Sequence, residues 1–221
     1  MSSILPSIEG GIVNRPKMLV DLSKWQDKVN FTELKKYGVW GVCLKATQGT
    51  TFVDPSFATR AKEAKKVGLV VLSYHYATFA DPVEEADHYA SIIHPARLTG
   101  RPMLDVEEPS GTINVEVWCR DFNRHLRYKR GLPLPLYYGN PSYIVEHKYS
   151  RPIGAGLVLA AYGRNDGKDF PVVVPAPWTR YVAHQFTSEG RLPGVGGPVD
   201  VWHSTHPSVL KLNRLTEWWV K

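Results

Sequence analysis

The sequence predicts an α/β barrel built as one domain. Six short, almost wholly apolar runs alternate with stretches whose apolar residues recur at helical spacing, and after Tyr162 strand-like runs follow one another with no helical stretch between. Strand-length apolar runs suit strands buried on both faces, and their alternation with helices suits repeated βα units around a parallel sheet. About five or six such units followed by two or three bare strands supply roughly eight strands, enough to close a barrel that its own side chains fill. An open doubly wound sheet is the weaker architecture, because no G-x-G-x-x-G follows the first run.

The apolar runs are Met18–Asp21, Val39–Lys45, Leu69–His75, Pro102–Glu107, Leu134–Tyr138 and Leu157–Tyr162. Between them lie F-T-E-L-K-K-Y, S-F-A-T-R-A-K-E-A-K-K-V, P-V-E-E-A-D-H-Y-A-S-I-I and N-V-E-V-W-C-R-D-F-N-R-H-L-R-Y-K-R, each with one apolar helical face. Beyond Tyr162, P-V-V-V-P-A-P-W (Pro171–Trp178), Y-V-A-H-Q-F (Tyr181–Phe186) and G-P-V-D-V-W (Gly197–Trp202) read as strands joined by Pro and Gly turns. The tail L-K-L-N-R-L-T-E-W-W, from Leu210, reads as a helix closing against the barrel wall. Residues 1–17 read as an N-terminal extension and 18–221 as the barrel domain, with no linker and no second binding module.

Composition narrows the function. At 43% hydrophobic and 22% charged the chain is an ordinary globular protein, and 7 Trp with 11 Tyr suit a cleft that holds a ligand. A net charge of +6 favours an anionic partner. The basic residues are scattered over helix faces, such as Lys62, Lys65 and Lys66 or Arg127, Lys129 and Arg130, with no aromatic-interleaved stripe, so nucleic acid is not the expected partner. Cys43 and Cys119 have no metal or redox spacing and read as buried free thiols. No stretch approaches the ~20 apolar residues that cross a bilayer, and Met1 to Pro16 does not read as a secretory signal.

Polar residues recur at one end of successive runs: Asp21, Lys45, His75, Asp105 with Glu107, and Tyr138, with Asp200 in the last. In parallel barrels that end gathers the functional groups, because its loops converge on one mouth. Taken alone, Asp21 is equally a turn cap and His75 a satisfied core histidine; their shared placement argues for the mouth. Asp105 and Glu107 are the most informative pair. Side chains at i and i+2 of a strand share a face, with backbones roughly 7 Å apart. Two acids so close resist joint ionisation, so one keeps its proton while the other stays an anion, the division that glycoside hydrolysis requires. Glu108 points the other way and reads as a turn residue. Clustered acids also suit Mg²⁺ or Ca²⁺, but no H-x-H, H-E-x-x-H or D-x-D-x-D-G spacing is present, nor a G-x-S-x-G nucleophile.

With these residues in view, the chain resembles the family 25 glycoside hydrolases, lysozymes that cleave bacterial peptidoglycan. The resemblance runs from about Met18 to Leu215 and rests on V-D-L-S-K-W-Q, L-K-A-T-Q-G-T-T-F-V-D-P-S-F, S-Y-H-Y-A, P-M-L-D-V-E, P-L-Y-Y, L-A-A-Y and H-Q-F-T-S-E-G-R-L-P-G-V-G-G-P-V-D in that order. It implies an irregular TIM-like (β/α)5(β)3 barrel that hydrolyses the β-1,4 bond from N-acetylmuramic acid to N-acetylglucosamine without a cofactor or metal. By resemblance Glu107 is the general acid, Asp105 orients the substrate's N-acetyl group or stabilises charge, and Asp21 and Asp200 are the other two acids. Tyr138, Tyr74, His75, Lys45, Tyr162 and Gln185 would contact substrate. Three positions depart from the family pattern: Gln48 for Glu, His184 for Trp, and Trp202 for Asn, the first removing a cleft charge and the others altering a wall of the site. A non-catalytic glycan-binding barrel is the rival reading. The expected partner is anionic cell wall, met by a monomer that inserts in no membrane. As a phage endolysin it would be made in the host cytoplasm and released to the wall by a separate pore-forming protein.

Overall fold

Strand β1 (Lys17–Leu22) opens the fold in the computed structural model, which describes residues 16–212. Asn30 then starts α1 (Phe31–Tyr37) by accepting the Glu33 amide, and Gly38, at φ 109°, stops it in the left-handed region that glycine enters without a Cβ clash. The next elements are β2 (Gly41–Gln48), the two-residue β3 (Phe52–Val53), α2 (Phe57–Lys66) and β4 (Val70–Tyr76). Asp81 caps α3 (Pro82–Ala96) through the Val83 and Glu84 amides, with Pro82 in the first turn where its missing N–H costs nothing. After β5 (Pro102–Asp105), Asn114 caps α4 (Val115–Tyr128); after β6 (Leu136–Gly139), Asn140 caps α5 (Pro141–Glu146). The chain finishes as β7 (Leu157–Ala160), β8 (Ala183–Gly190), β9 (Val199–Ser204) and the single turn α6 (Pro207–Leu210).

The sheet order is β1-β9-β8-β7-β6-β5-β4-β2-β3, and a further β1–β2 pairing closes it into a ring that leaves β3 outside as a hairpin on β2. Neighbours run parallel from β1 round to β8, whereas β9 is antiparallel to both β8 and β1. Five strand–helix units followed by three strands without intervening helices make the expected (β/α)5(β)3 barrel. Strand alternation divides the apolar residues in two. Leu19, Cys43, Leu72, Met103, Leu136 and Trp202 fill the interior, while Leu44, Val71, Tyr89, Phe122, Tyr137 and Leu159 pack the sheet against the helices. Both thiols are free and buried, as expected.

Three sequence expectations are corrected. Pro171–Trp178 is loop, not strand: Pro171, Pro175 and Pro177 bring no N–H to a ladder, and Val173 is 86% exposed. Strand β5 ends at Asp105, so Glu107 lies two residues past it. The helix expected from Leu210 does not begin there, because Leu210 closes α6 and Lys211 is extended and bridges Gly100; its remainder, 213–221, lies outside the described residues. The short β3 and α5 carry too few apolar repeats to have been read from the sequence.

Candidate active site

The ring geometry brings four carboxyl groups to one mouth. Asp21 on β1 stands directly opposite Asp200 in the antiparallel β1–β9 pair, where partner residues are roughly 5 Å apart. Asp105 ends β5 beside Tyr138 of β6. Extended backbone carries past that strand end, since the Val106 amide donates to the Tyr138 carbonyl (3.2 Å) and the Val106 side chain joins the outer core. Asp105 and Glu107 therefore share the inner face although the ladder has stopped.

Asp21 and Asp105 are buried, and Asp105 Oδ1 has no hydrogen-bond partner among the described residues. Burial raises both carboxyls well above the usual range; Asp200 and then Glu107 push Asp21 further, Glu107 and then Asp21 push Asp105, and Lys45 opposes in each case. Asp200 is pushed up to about 6 by desolvation, then by Glu107 and Glu189. Glu107 is exposed at the rim, yet protein crowds its carboxyl enough that desolvation leads in raising it, with the Glu108 charge second and Lys45 opposing. Four acids around one space cannot all ionise, so this mouth holds protons beside anions at mild pH.

A bulge in β2 determines what surrounds the acids. Lys45 pairs with Tyr74 but Thr47 pairs with His75, so Ala46 is an extra residue that turns Thr47 to the outer face and Gln48 inward. Lys45 Nζ then donates to Gln48 Oε1 (2.7 Å) and lies 4.6 Å from the Tyr76 ring centroid. Burial lowers the Lys45 pKa against the pull of Asp105, Asp54 and Asp21. Opposite, the hydroxyls of Tyr138 (2.6 Å) and Tyr162 (3.0 Å) both donate to Gln185 Oε1, and Gln185 Nε2 is buried with no hydrogen-bond partner among the described residues. Tyr74 faces the same acids, its phenol raised by burial, then by Asp21 and Asp105.

His75 does not face the mouth. It follows Tyr74 on the strand and points outward, fully buried, with Nδ1 2.7 Å from Thr47 Oγ1 and Nε2 2.7 Å from Glu85 Oε2. Adjacent strand residues cannot both face inward, which corrects the placement of His75 among substrate contacts. His184 is outward for the same reason: its Nδ1 meets Asp169 Oδ1 and its Nε2 donates to the Ala161 carbonyl (both 2.9 Å), under the loop that links β7 to β8. Trp202 is fully buried in the barrel interior. Of the three departures noted in the sequence, Gln48 joins the polar lining through Lys45, Trp202 lies deeper on the inner face as the cross-strand partner of Gln185, and His184 faces away.

Sequence reasoning missed three features. Glu108 was read as turned away, but its charge helps raise Glu107 and its carboxylate hydrogen-bonds Tyr76. Trp25, in the loop after Asp21, is 77% exposed, with Lys24 Nζ 4.9 Å from its centroid and 5.2 Å from that of Phe52. That loop is pinned by Arg60, which donates to the Ser23 and Gln26 carbonyls, and by the Lys24 amide on Asp54 Oδ2 (2.9 Å). An open groove beside Glu107 is the third. The quoted motif V-D-L-S-K-W-Q contains the Trp25 signal; the groove depends on loop folding and left none.

The chain is similar to several known proteins. The model of the glycosyl hydrolases family 25 matches residues 20–195. The chain is 29% identical over 185 residues to the autolytic lysozyme of Clostridium acetobutylicum, covering 82% of this chain and 54% of that protein. It is 27% identical over 198 residues to lysozyme M1 of Streptomyces globisporus, covering 82% and 65%. It thus spans between half and two thirds of the length of these relatives. Among solved structures it is similar to the catalytic domain of endolysin ply40 from bacteriophage P40 of Listeria monocytogenes, with TM-score 0.78 and 29% identity over 90% of this chain and 97% of that one.

Proposed function

Because the chain belongs to glycosyl hydrolase family 25, we propose that it is a peptidoglycan muramidase cutting the β-1,4 bond from N-acetylmuramic acid to N-acetylglucosamine. The convergence of Asp21, Asp105, Glu107 and Asp200 on one mouth carries this reading. Glu107, the most exposed of the four and with its carboxyl raised by burial and then by the Glu108 charge, is the general acid for the leaving oxygen. Asp105 lies deeper, with one carboxyl oxygen unpartnered, and orients the N-acetyl group whose carbonyl oxygen attacks the anomeric carbon. Asp200 stabilises the positive charge that develops there, with Asp21 facing it across the β1–β9 pair, and a water molecule then completes hydrolysis with retention. Lys45, Tyr74, Tyr138, Tyr162 and Gln185 line the space around the sugar.

The likeness to a phage endolysin domain supports an endolysin role, in which a monomer acts on the wall from the host's interior once a separate protein has opened the membrane. Among the described residues no helix is long and apolar enough to cross a membrane.

Digestion of purified peptidoglycan tests the activity. New reducing ends without new free amines, and muropeptides ending in N-acetylmuramic acid, are expected. Released amines would make the protein an amidase or peptidase, and no product at any pH would leave a glycan-binding barrel. The pH profile gives a finer check. Activity falls on the alkaline side as Glu107 loses its proton, and the Glu108 charge helps to hold that proton. Glu108→Gln removes a like charge, lowers the Glu107 pKa and moves the alkaline limb of kcat/KM to lower pH; an unmoved limb counts against Glu107 as the donor.

A further inference from the structure

The loop from β7 to β8 is fastened to the outside of the barrel by Asp169. Its Oδ1 lies 2.9 Å from His184 Nδ1 and its Oδ2 lies 2.9 Å from His203 Nδ1. His184 and His203 are cross-strand partners on β8 and β9, so one carboxylate spans both strands. The His184 side chain is 1% exposed, and the rings of Phe170, Tyr181 and Phe186 enclose it at centroid distances of 5.1, 5.8 and 6.2 Å.

The partners of this imidazole fix its protons. Nε2 faces the Ala161 carbonyl and Nδ1 faces the Asp169 carboxylate, and neither oxygen has a hydrogen to give. Both nitrogens therefore carry hydrogen, and His184 is a buried imidazolium paired with Asp169 among rings that keep water from the pair. Its hold on Ala161 reaches the mouth. Ala161 also donates its amide to the Gln185 carbonyl (3.0 Å), and the next residue, Tyr162, meets Gln185 Oε1 beside Tyr138. Asn165 anchors the same segment, its Oδ1 accepting from the Thr187 hydroxyl (2.8 Å) and the Ser188 amide (3.0 Å). With two tyrosine hydroxyls on Oε1, the Gln185 amide has one orientation. Its buried Nε2 is left as a donor with no hydrogen-bond partner among the described residues.

We infer that Asp169 and His184 are positioning residues for the substrate. Their charged pair holds Ala161, sets Tyr162 against Gln185, and so keeps Gln185 Nε2 as a donor to an acceptor oxygen of the bound sugar. Neither residue touches the sugar itself, because His184 points away from the mouth while Gln185, next along β8, points into it. The inference rests on the muramidase reading for the identity of that sugar.

Asp169→Ala and His184→Phe both cut the pair, and the phenyl ring preserves the packing against Phe170, Tyr181 and Phe186. Each should raise KM for soluble glycan strands about two- to tenfold, the share of one hydrogen bond, and leave kcat within about twofold. His184→Gln is the conservative control: its amide can still donate to the Ala161 carbonyl, so KM should return toward the parent's. A purely structural role would lower the melting temperature without touching KM. Parent-like KM in Asp169→Ala and His184→Phe, or no recovery in His184→Gln, overturns the proposal. NMR separates it from the activity. Hydrogen on both ring nitrogens of His184, with Gln185 side-chain amide signals that move in Asp169→Ala, supports the pair's role even if no glycan is cut. A single ring N–H at His184, or Gln185 signals that stay in place, sinks it even if glycan is cut.

Discussion

A Glu107→Gln protein is expected to fold like its parent and to release reducing ends from peptidoglycan about 10²- to 10⁴-fold more slowly, the usual contribution of a general acid. The amide keeps the size of the side chain but has no proton to give at mild pH. The fold should not suffer, because Glu107 lies beyond the end of β5, is exposed, and adds to the like-charge crowding of Asp21, Asp105 and Asp200. Circular dichroism and thermal unfolding beside a reducing-end assay decide the matter: near-parent turnover in a folded Glu107→Gln protein would remove Glu107 from the donor role.

The largest stability loss is expected outside the mouth, at Glu85. Its carboxylate is fully buried and accepts from His75 Nε2 (2.7 Å), the Thr78 hydroxyl (2.9 Å) and the Ala80 amide (2.8 Å). Burial alone would raise its pKa, but the His75 hydrogen bond and charge, then Thr78 and Ala80, hold it below the usual value. Burial lowers the His75 pKa, with Glu85 opposing. Glu85→Ala leaves a buried imidazole nitrogen and three loop donors, the Thr78 amide and hydroxyl and the Ala80 amide, without their acceptor, and breaking such a pair costs about 3–5 kcal/mol. At roughly 2–4 °C per kcal/mol for a chain of this size, the melting temperature should drop by ~10 °C. A drop of only a degree or two would mean that water replaces the carboxylate at little cost.

The fold was legible because hydrophobic period is a local signal, and β1, β2, β4, β5, β6 and β7 each begin within two residues of the run that predicted them. Pro171–Trp178 misled because its valines have the composition of a strand while its prolines remove the donors that a strand needs. The acids were legible at strand ends without reference to partners. His75 was not, because its direction depends on strand phase and on the one-residue bulge at Ala46 that places Thr47 against it. Glu108 was underestimated because direction was taken for influence, whereas charge acts through space. The groove beside Glu107 arises from α5 meeting the turn after β5, and that encounter has no counterpart in sequence spacing.

The seam where β1 meets β9 also bears on when the site comes into being. Asp21 belongs to the first strand and Asp200 to the last, so nearly the whole described chain must be synthesised and threaded round the ring before they face each other. Pairing of such distant segments is a slow kind of contact to form. A growing chain on the ribosome, or a fragment clipped before β9, carries three of the four acids but cannot complete the mouth. Asp200 therefore cannot join the other three acids until β9 has been made.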